Sequence, residues 1–361
     1  MSQEADDGDV EQLITRAAEL ERAVEAAPDD AVARIGLANG LLELAAALAD
    51  AGSEGEGSVD GQLVRAAVHA ARAVGMSPDS PDARLALAAS LGGLHLHRDE
   101  LAELAWIAER RPDDPELAMV MEHALSHLGR GDEALAAARR AVELAGPEAD
   151  VLVRAQPAFA LARLGRVEEA LAELEALAAS VGAPDERAVP LGLLADLLED
   201  GGRHDEALAR LAEAAELAPG DGYDWARGNL LRELGRTEEA VACFAAEIDA
   251  DPDDAYALRD WGLGLAELGR TDDAETALVR AARVAPLEVA GDAALARAAI
   301  RMAAGRGTEA VALLRDAIER DPIRSQLRHA LAEALEGVGR SEEAAWELRQ
   351  ADRLDAIAEP E

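Results

Sequence analysis

The sequence predicts an all-α chain built as an α-α superhelix, and three observations carry that expectation. A short phrase centred on Leu-Gly-Arg returns about every 34 residues, prolines return in the same phase, and half of the 361 residues are hydrophobic while only 2% are aromatic. Much of the apolar share is Ala, the strongest helix former and a small side chain, so the core must come from helices that approach closely. Sheet-rich folds do not suit this composition.

The phrase occurs seven times, as LGRGDEALAAA from Leu128, LGRVEEALAEL from Leu164, GGRHDEALARL from Gly201, LGRTEEAVACF from Leu234, LGRTDDAETAL from Leu268, AGRGTEAVALL from Ala304 and VGRSEEAAWEL from Val338. Its glycines, from Gly129 to Gly339, are 36, 37, 33, 34, 36 and 34 residues apart. A Gly at the end of one helix takes the left-handed conformation that closes it, and the Thr, Ser or Asp that follows is expected to cap the next helix. Acidic residues then sit at that helix's positive end. Five residues after each Gly stands an Ala, such as Ala240 or Ala274, small because the two helices of the hairpin touch there. Pro28, Pro78, Pro112, Pro147, Pro184, Pro219, Pro252, Pro286 and Pro322 mark the far end of each hairpin, where Pro stops the second helix and a residue such as Asp253 or Asp254 caps the next first helix.

With these residues in place, the chain resembles the tetratricopeptide repeat family. The clearest unit is Ala255 to Glu288, with Trp261-Gly262, Leu265, Gly269, Ala274, Leu278, Ala281 and Pro286 at the family's signature positions, and its neighbour supplies Gly228, Leu231, Gly235, Ala240, Phe244 and Pro252. The resemblance runs from about Val10 to about Leu354. It implies a right-handed solenoid whose first helices line a concave wall, with no common catalytic chemistry and with protein or peptide segments as partners.

The expected organisation is an acidic tail over residues 1–9, a capping helix over 10–28 and nine hairpins over 29–356. A loop insertion at 52–61 lies in the first hairpin, and a tail over 357–361 closes the chain. First helices are expected to begin near Ala31, Pro81, Pro115, Val151, Ala188, Asp221, Ala255, Gly291 and Ser325. The second hairpin lacks the turn Gly and has His95 in its place. The most apolar window, Ile35 to Ala49, is interrupted by Asn39 and Glu43 and is read as too short to cross a bilayer.

With 73 acidic residues against 35 basic ones, all of them Arg, the chain has a formal charge of -38. Such a chain repels nucleic acid phosphate and anionic lipid, so neither is the expected partner. The dense carboxylate surface fits either a salt-rich cytosol or a GC-rich genome. Cys243 alone forms no internal disulfide, and residues 1–10 carry four acidic groups and no basic, apolar leader, so a cytoplasmic location is expected.

One cluster on the expected groove draws together residue types that dominate interfaces. Trp225, Asn229 and Arg232 fall at i, i+4 and i+7 on one first helix, and Tyr256, Arg259 and Asp260 occupy the next, in a chain with only eight aromatic residues. The same aromatics could instead fill gaps between helices while the charges are solvated. His123 and His127 share one helical face, with His95 and His97 in the preceding turn and Glu122 nearby, a spacing that could hold a metal. No HExxH accompanies them, and no metal or cofactor is assigned. Paired carboxylates such as Glu238-Glu239 are explained by the helix dipole, Gly-Arg belongs to turns and not to a phosphate loop, and Cys243 is expected as a core thiol. Arg110-Arg111 and Arg139-Arg140 are expected to pair with nearby carboxylates.

Three functions remain open from the sequence. The first is a non-enzymatic scaffold that binds a protein or peptide, basic or amphipathic, along the concave groove. The second is an assembly module self-associating through its terminal repeats, where Trp346, Leu348, Leu354 and Ile357 have no further hairpin to cover them. A remote third is a metal-dependent activity at the histidines.

Overall fold

The computed structural model describes residues 2–50 and 59–358, which form nineteen helices and, among the described residues, no strand. The helices gather into two compact units that divide after Glu173. The N-terminal unit holds α1 (Ser2–Ala26), α2 (Ala31–Asp50), α3 (Val59–Met76), α4 (Pro81–Gly93), α5 (His97–Ala108), α6 (Pro115–His127), α7 (Gly131–Ala145) and α8 (Val151–Arg163), and the division falls within α9 (Val167–Ser180). The C-terminal unit holds α10 (Pro184–Asp200), α11 (His204–Leu217), α12 (Tyr223–Glu233), α13 (Thr237–Ala250), α14 (Ala255–Glu267), α15 (Thr271–Val284), α16 (Leu287–Ala303), α17 (Gly307–Arg320), α18 (Ser325–Gly337) and α19 (Ser341–Ala358).

The chain thus has an α-α helical-hairpin solenoid fold, and within each unit neighbouring hairpins complete one another's core. In the C-terminal unit α12 packs on α13, α13 on α14 and α14 on α15, and the first helices also touch one another, α14 on α16 and α16 on α18. The small-residue rule explains the close approach. Ala240 and Ala274 are fully buried, and a Cβ added at Gly228 or Gly262 would lie 2.5 Å from Phe244 or 2.7 Å from Leu278 of the facing helix.

The turns share one geometry. At Gly235 (φ 72°) the amide donates to the Arg232 carbonyl at 2.9 Å, and the Arg236 amide reaches back to Leu231 at 2.8 Å, a Schellman closure. At His95, the only non-glycine with positive φ among the described residues, at 58°, the same closure forms: its amide donates to the Gly92 carbonyl at 2.9 Å and the Leu96 amide to the Leu91 carbonyl at 2.8 Å. His95 stands where the other hairpins have Gly, as the sequence implies.

Several expectations need correction. The second helices are not capped by Thr, Ser or Asp. The Arg of Gly-Arg occupies the cap, and its guanidinium clasps the carboxylate three residues on, as Arg236 does with both oxygens of Glu239 at 2.6–2.7 Å. Arg130, Arg166, Arg203 and Arg340 repeat the clasp with Glu133, Glu169, Glu206 and Glu343. First helices α4, α6, α8 and α14 use the expected kind of cap, with Asp254 accepting from the amides of Tyr256 and Ala257 at 2.8 and 3.0 Å, whereas α10, α12, α16 and α18 have no side-chain cap of their own. Pro184 does not end a helix but opens α10 at its first turn, where its missing N–H costs nothing. This places α10 four residues ahead of Ala188, and α16 likewise starts at Leu287 and not Gly291. Helix α1 begins at Ser2, within the stretch expected as an acidic tail. At the other end α19 continues to Ala358 and takes in the start of the expected 357–361 tail, whose residues 359–361 lie outside the described ones. The expected loop at 52–61 lies largely outside the described residues, its last three residues already belonging to α3.

The apolar window near the N-terminus is also longer than expected. Residues 31–49 form one helix of mean hydropathy 1.5, long and apolar enough to cross a membrane by those criteria alone. Leu37, Leu41, Leu44 and Leu48 are buried in a cluster with Ala17, Val24 and Ala66, which gives α2 the character of a core helix.

Candidate functional site

The first-helix wall of the C-terminal unit carries a connected network. Asp260, on α14, is 1% exposed and therefore needs every lone pair answered. Trp225 Nε1, from α12, donates to its Oδ2 at 2.7 Å. Arg259 donates to Oδ1 through Nε at 2.9 Å and to Oδ2 at 3.1 Å. Arg259 also reaches Asp292 of α16 at 3.2 Å, and Arg324, at the start of α18, donates to the other oxygen of Asp292. A chain of alternating charge therefore ties together four successive first helices.

Above this network the Trp225 and Tyr256 rings meet edge to face, with centroids 6.3 Å apart, and the Arg259 guanidinium lies 5.5 Å from the Tyr256 ring centre. Tyr256 is 44% exposed and Trp225 is half-buried. Further along α12, Arg232 donates weakly to Asn229 Oδ1 at 3.4 Å, while its Nε is buried without an acceptor. All six residues singled out in the sequence thus fall on α12 and α14. Four of them interlock, and Asn229 and Arg232 form a separate pair one to two turns on. Asp260 is not a solvated charge but the buried acceptor that positions the aromatics.

Three members of the site escape sequence reasoning. Glu247, on second helix α13, is 1% exposed and accepts from the backbone amides of Gly222 at 2.9 Å and Trp225 at 3.4 Å, so it caps α12 from outside that helix. Burial pushes its carboxyl above the usual carboxylate range, partly offset by those two amides. Asp292 and Arg324 carry a readable signal, opposite charges one repeat length apart on successive first helices. Elsewhere the expected pairing of the double arginines is present. Arg111 meets Asp82 at 3.0 Å and Arg140 meets Asp113 at 3.1 Å, while Arg139 binds Glu173 at 2.5 Å and Arg110 lies 3.6 Å from Glu109. Arg110 and Arg84 also stack on Trp106, at 3.5 and 4.1 Å from the ring centre. Cys243 is buried in the hairpin core, which raises its thiol above the usual range.

The sequence pattern of the tetratricopeptide repeat family matches residues 225–286 and 259–322, the segment that holds this network apart from Arg324. Residues 225–322 carry tetratricopeptide repeats. A tetratricopeptide repeat structure from Cytophaga hutchinsonii, the C-terminal part of a repeat-containing protein, shares 12% identity with a TM-score of 0.50, over 68% of this chain and 98% of that one. A crystal structure of MamA shares 18% identity with a TM-score of 0.42, over 48% of this chain and 95% of that one. These likenesses concern the fold. No curated protein matches the chain. Tetratricopeptide repeats give this segment the architecture of a protein-interaction scaffold in general.

Proposed function

We propose that the chain is a non-enzymatic scaffold that binds a protein or peptide segment on the first-helix wall of its C-terminal unit. The observation that carries this reading is the Trp225–Tyr256 pair, which spans two hairpins and is held from below by a buried carboxylate. Rigid aromatic surface of this kind supplies contact area with little side-chain entropy to lose. Arg232, with a buried donor lacking an acceptor, and Asn229 offer hydrogen bonds beside it. The surrounding negative charge favours a basic or amphipathic partner, whose binding weakens with salt. Affinity capture from native cytosol with the wild-type chain and with Tyr256→Ala tests this. A partner retained by the first and lost by the second supports the site, whereas identical capture by both removes it.

One observation favours self-association as a second reading. On α19, Trp346 is 50% exposed and Ile357 75% exposed, and their spacing of eleven residues puts both on one helical face. Light scattering in screening salt separates the readings, since a monomeric mass at high concentration excludes the second.

A further inference from the structure

At the proline end of the hairpin formed by α16 and α17, the C-terminal unit has a cavity that opens to solvent and holds about 470 Å3 of empty space, counted out to its mouth. That lies at the low end of the about 300–1,000 Å3 found for sites that hold small ligand groups. The room comes from small side chains. Helix α16 contributes Ala290, Gly291 and Ala294 to the lining, and Leu287, Leu313 and Ala317 complete the apolar walls.

Four charged residues line the same cavity, and three of them are already answered. Arg297 donates to Glu275 at 3.0 Å, and Arg320 donates to Asp316 at 2.8 Å. Asp321, at the C-cap of α17, is only 9% exposed, and its carboxylate has no hydrogen bond or ion pair with a described residue. Its counterpart two hairpins earlier shows the contrast. Asp251 also stands between a second helix and its Pro, but it is exposed, and its Oδ1 accepts from the amide of Asp253 at 3.1 Å. Asp321 has no such turn bond, so a buried anion keeps its lone pairs for whatever fills the cavity.

We propose that this cavity binds a protonated alkylamine, with the ammonium on the Asp321 carboxylate and the methylenes along the alanine and leucine walls. A buried charge needs an opposite charge, and both arginines at the cavity are held by other carboxylates. An ammonium is a compact charge at the tip of an apolar stem, which suits one unanswered carboxylate among apolar walls better than the planar fork of a guanidinium. The chain contains no Lys, so the amine comes from another molecule, either a partner's Lys side chain or a free amine. The cavity shares no residue with the Trp225–Tyr256 site, and its assignment stands or falls separately.

Methyl NMR of the full chain, titrated with n-butylammonium chloride and separately with N-acetyl-lysine methylamide, provides the test. Each amine should shift the Leu287 and Leu313 methyls saturably, while n-butanol leaves them unchanged. Tighter binding of the lysine amide assigns the cavity to a partner's side chain, and tighter binding of butylammonium assigns it to a free amine. Asp321→Asn keeps the shape without the charge and should weaken binding by about tenfold or more. Ala290→Leu, at a half-buried position, should fill the cavity and abolish binding. No saturable shift with either amine, an equal response to n-butanol, or binding unchanged in Asp321→Asn or in Ala290→Leu would overturn the proposal.

Discussion

Carboxylates in this chain fall into two groups with opposite pH behaviour. Glu239, Glu169 and Glu206 are held below their usual range by hydrogen bonds from Arg236, Arg166 and Arg203, so their stabilisation is present above the unfolded-state value and is lost as pH falls through the folded one. Glu247 is pushed the other way by burial, so its contribution is full at low pH and is lost as pH rises through its folded value. Glu247→Gln keeps an acceptor for the α12 amides without a charge to bury. The stability of wild type relative to Glu247→Gln should therefore fall as pH rises above the ordinary carboxylate range, and a rise in thermal melts with pH would contradict the sign. Asp260 is a buried acceptor with two donors depending on it, and Asp260→Ala should cost about 3 kcal/mol in denaturant unfolding. The turn positions respond with opposite signs: Gly235→Ala should cost about 1 kcal/mol, while His95→Gly should stabilise by a comparable amount, since only the latter relieves a left-handed side chain. At this scale the sequence revealed Trp225, Tyr256 and Asp260, because aromatic residues are scarce and their spacing is helical. Glu247 was hidden because its partners are backbone amides of another helix, which no side-chain pattern records.

Between helices, packing is governed by where side chains are smallest. Ala240 and Ala274 have no exposed surface, and enlarging either to Leu should overpack the hairpin and cost about 1–3 kcal/mol, whereas Glu238→Ala on the outer face should cost far less. Equal tolerance in chemical unfolding would show that the phase of the repeat is misassigned. The hairpins themselves were legible because Gly, Ala and Pro recur in fixed order. Helix starts were less so: Pro184 is compatible with both the end of one helix and the first turn of the next, and only the packing of α10 distinguishes them. The Arg clasp at the second helices was missed for a related reason. Gly-Arg was read as a turn, but the guanidinium belongs to the helix that follows, and its partner three residues on had already been explained by the helix dipole.

Within each unit, hairpins that cannot bury their apolar faces alone gain stability by stacking and, once stacked, present a wall of first helices. In the C-terminal unit that wall is joined by the chain from Trp225 through Asp260, Arg259 and Asp292 to Arg324, so a contact at Tyr256 is made on a braced surface. Hydrogen exchange of the full chain, free and bound to the captured partner, tests the claim that this wall is the working surface. The account predicts added protection in α12 and α14 that is lost with Tyr256→Ala; protection confined to other helices, or unchanged by that substitution, would contradict it.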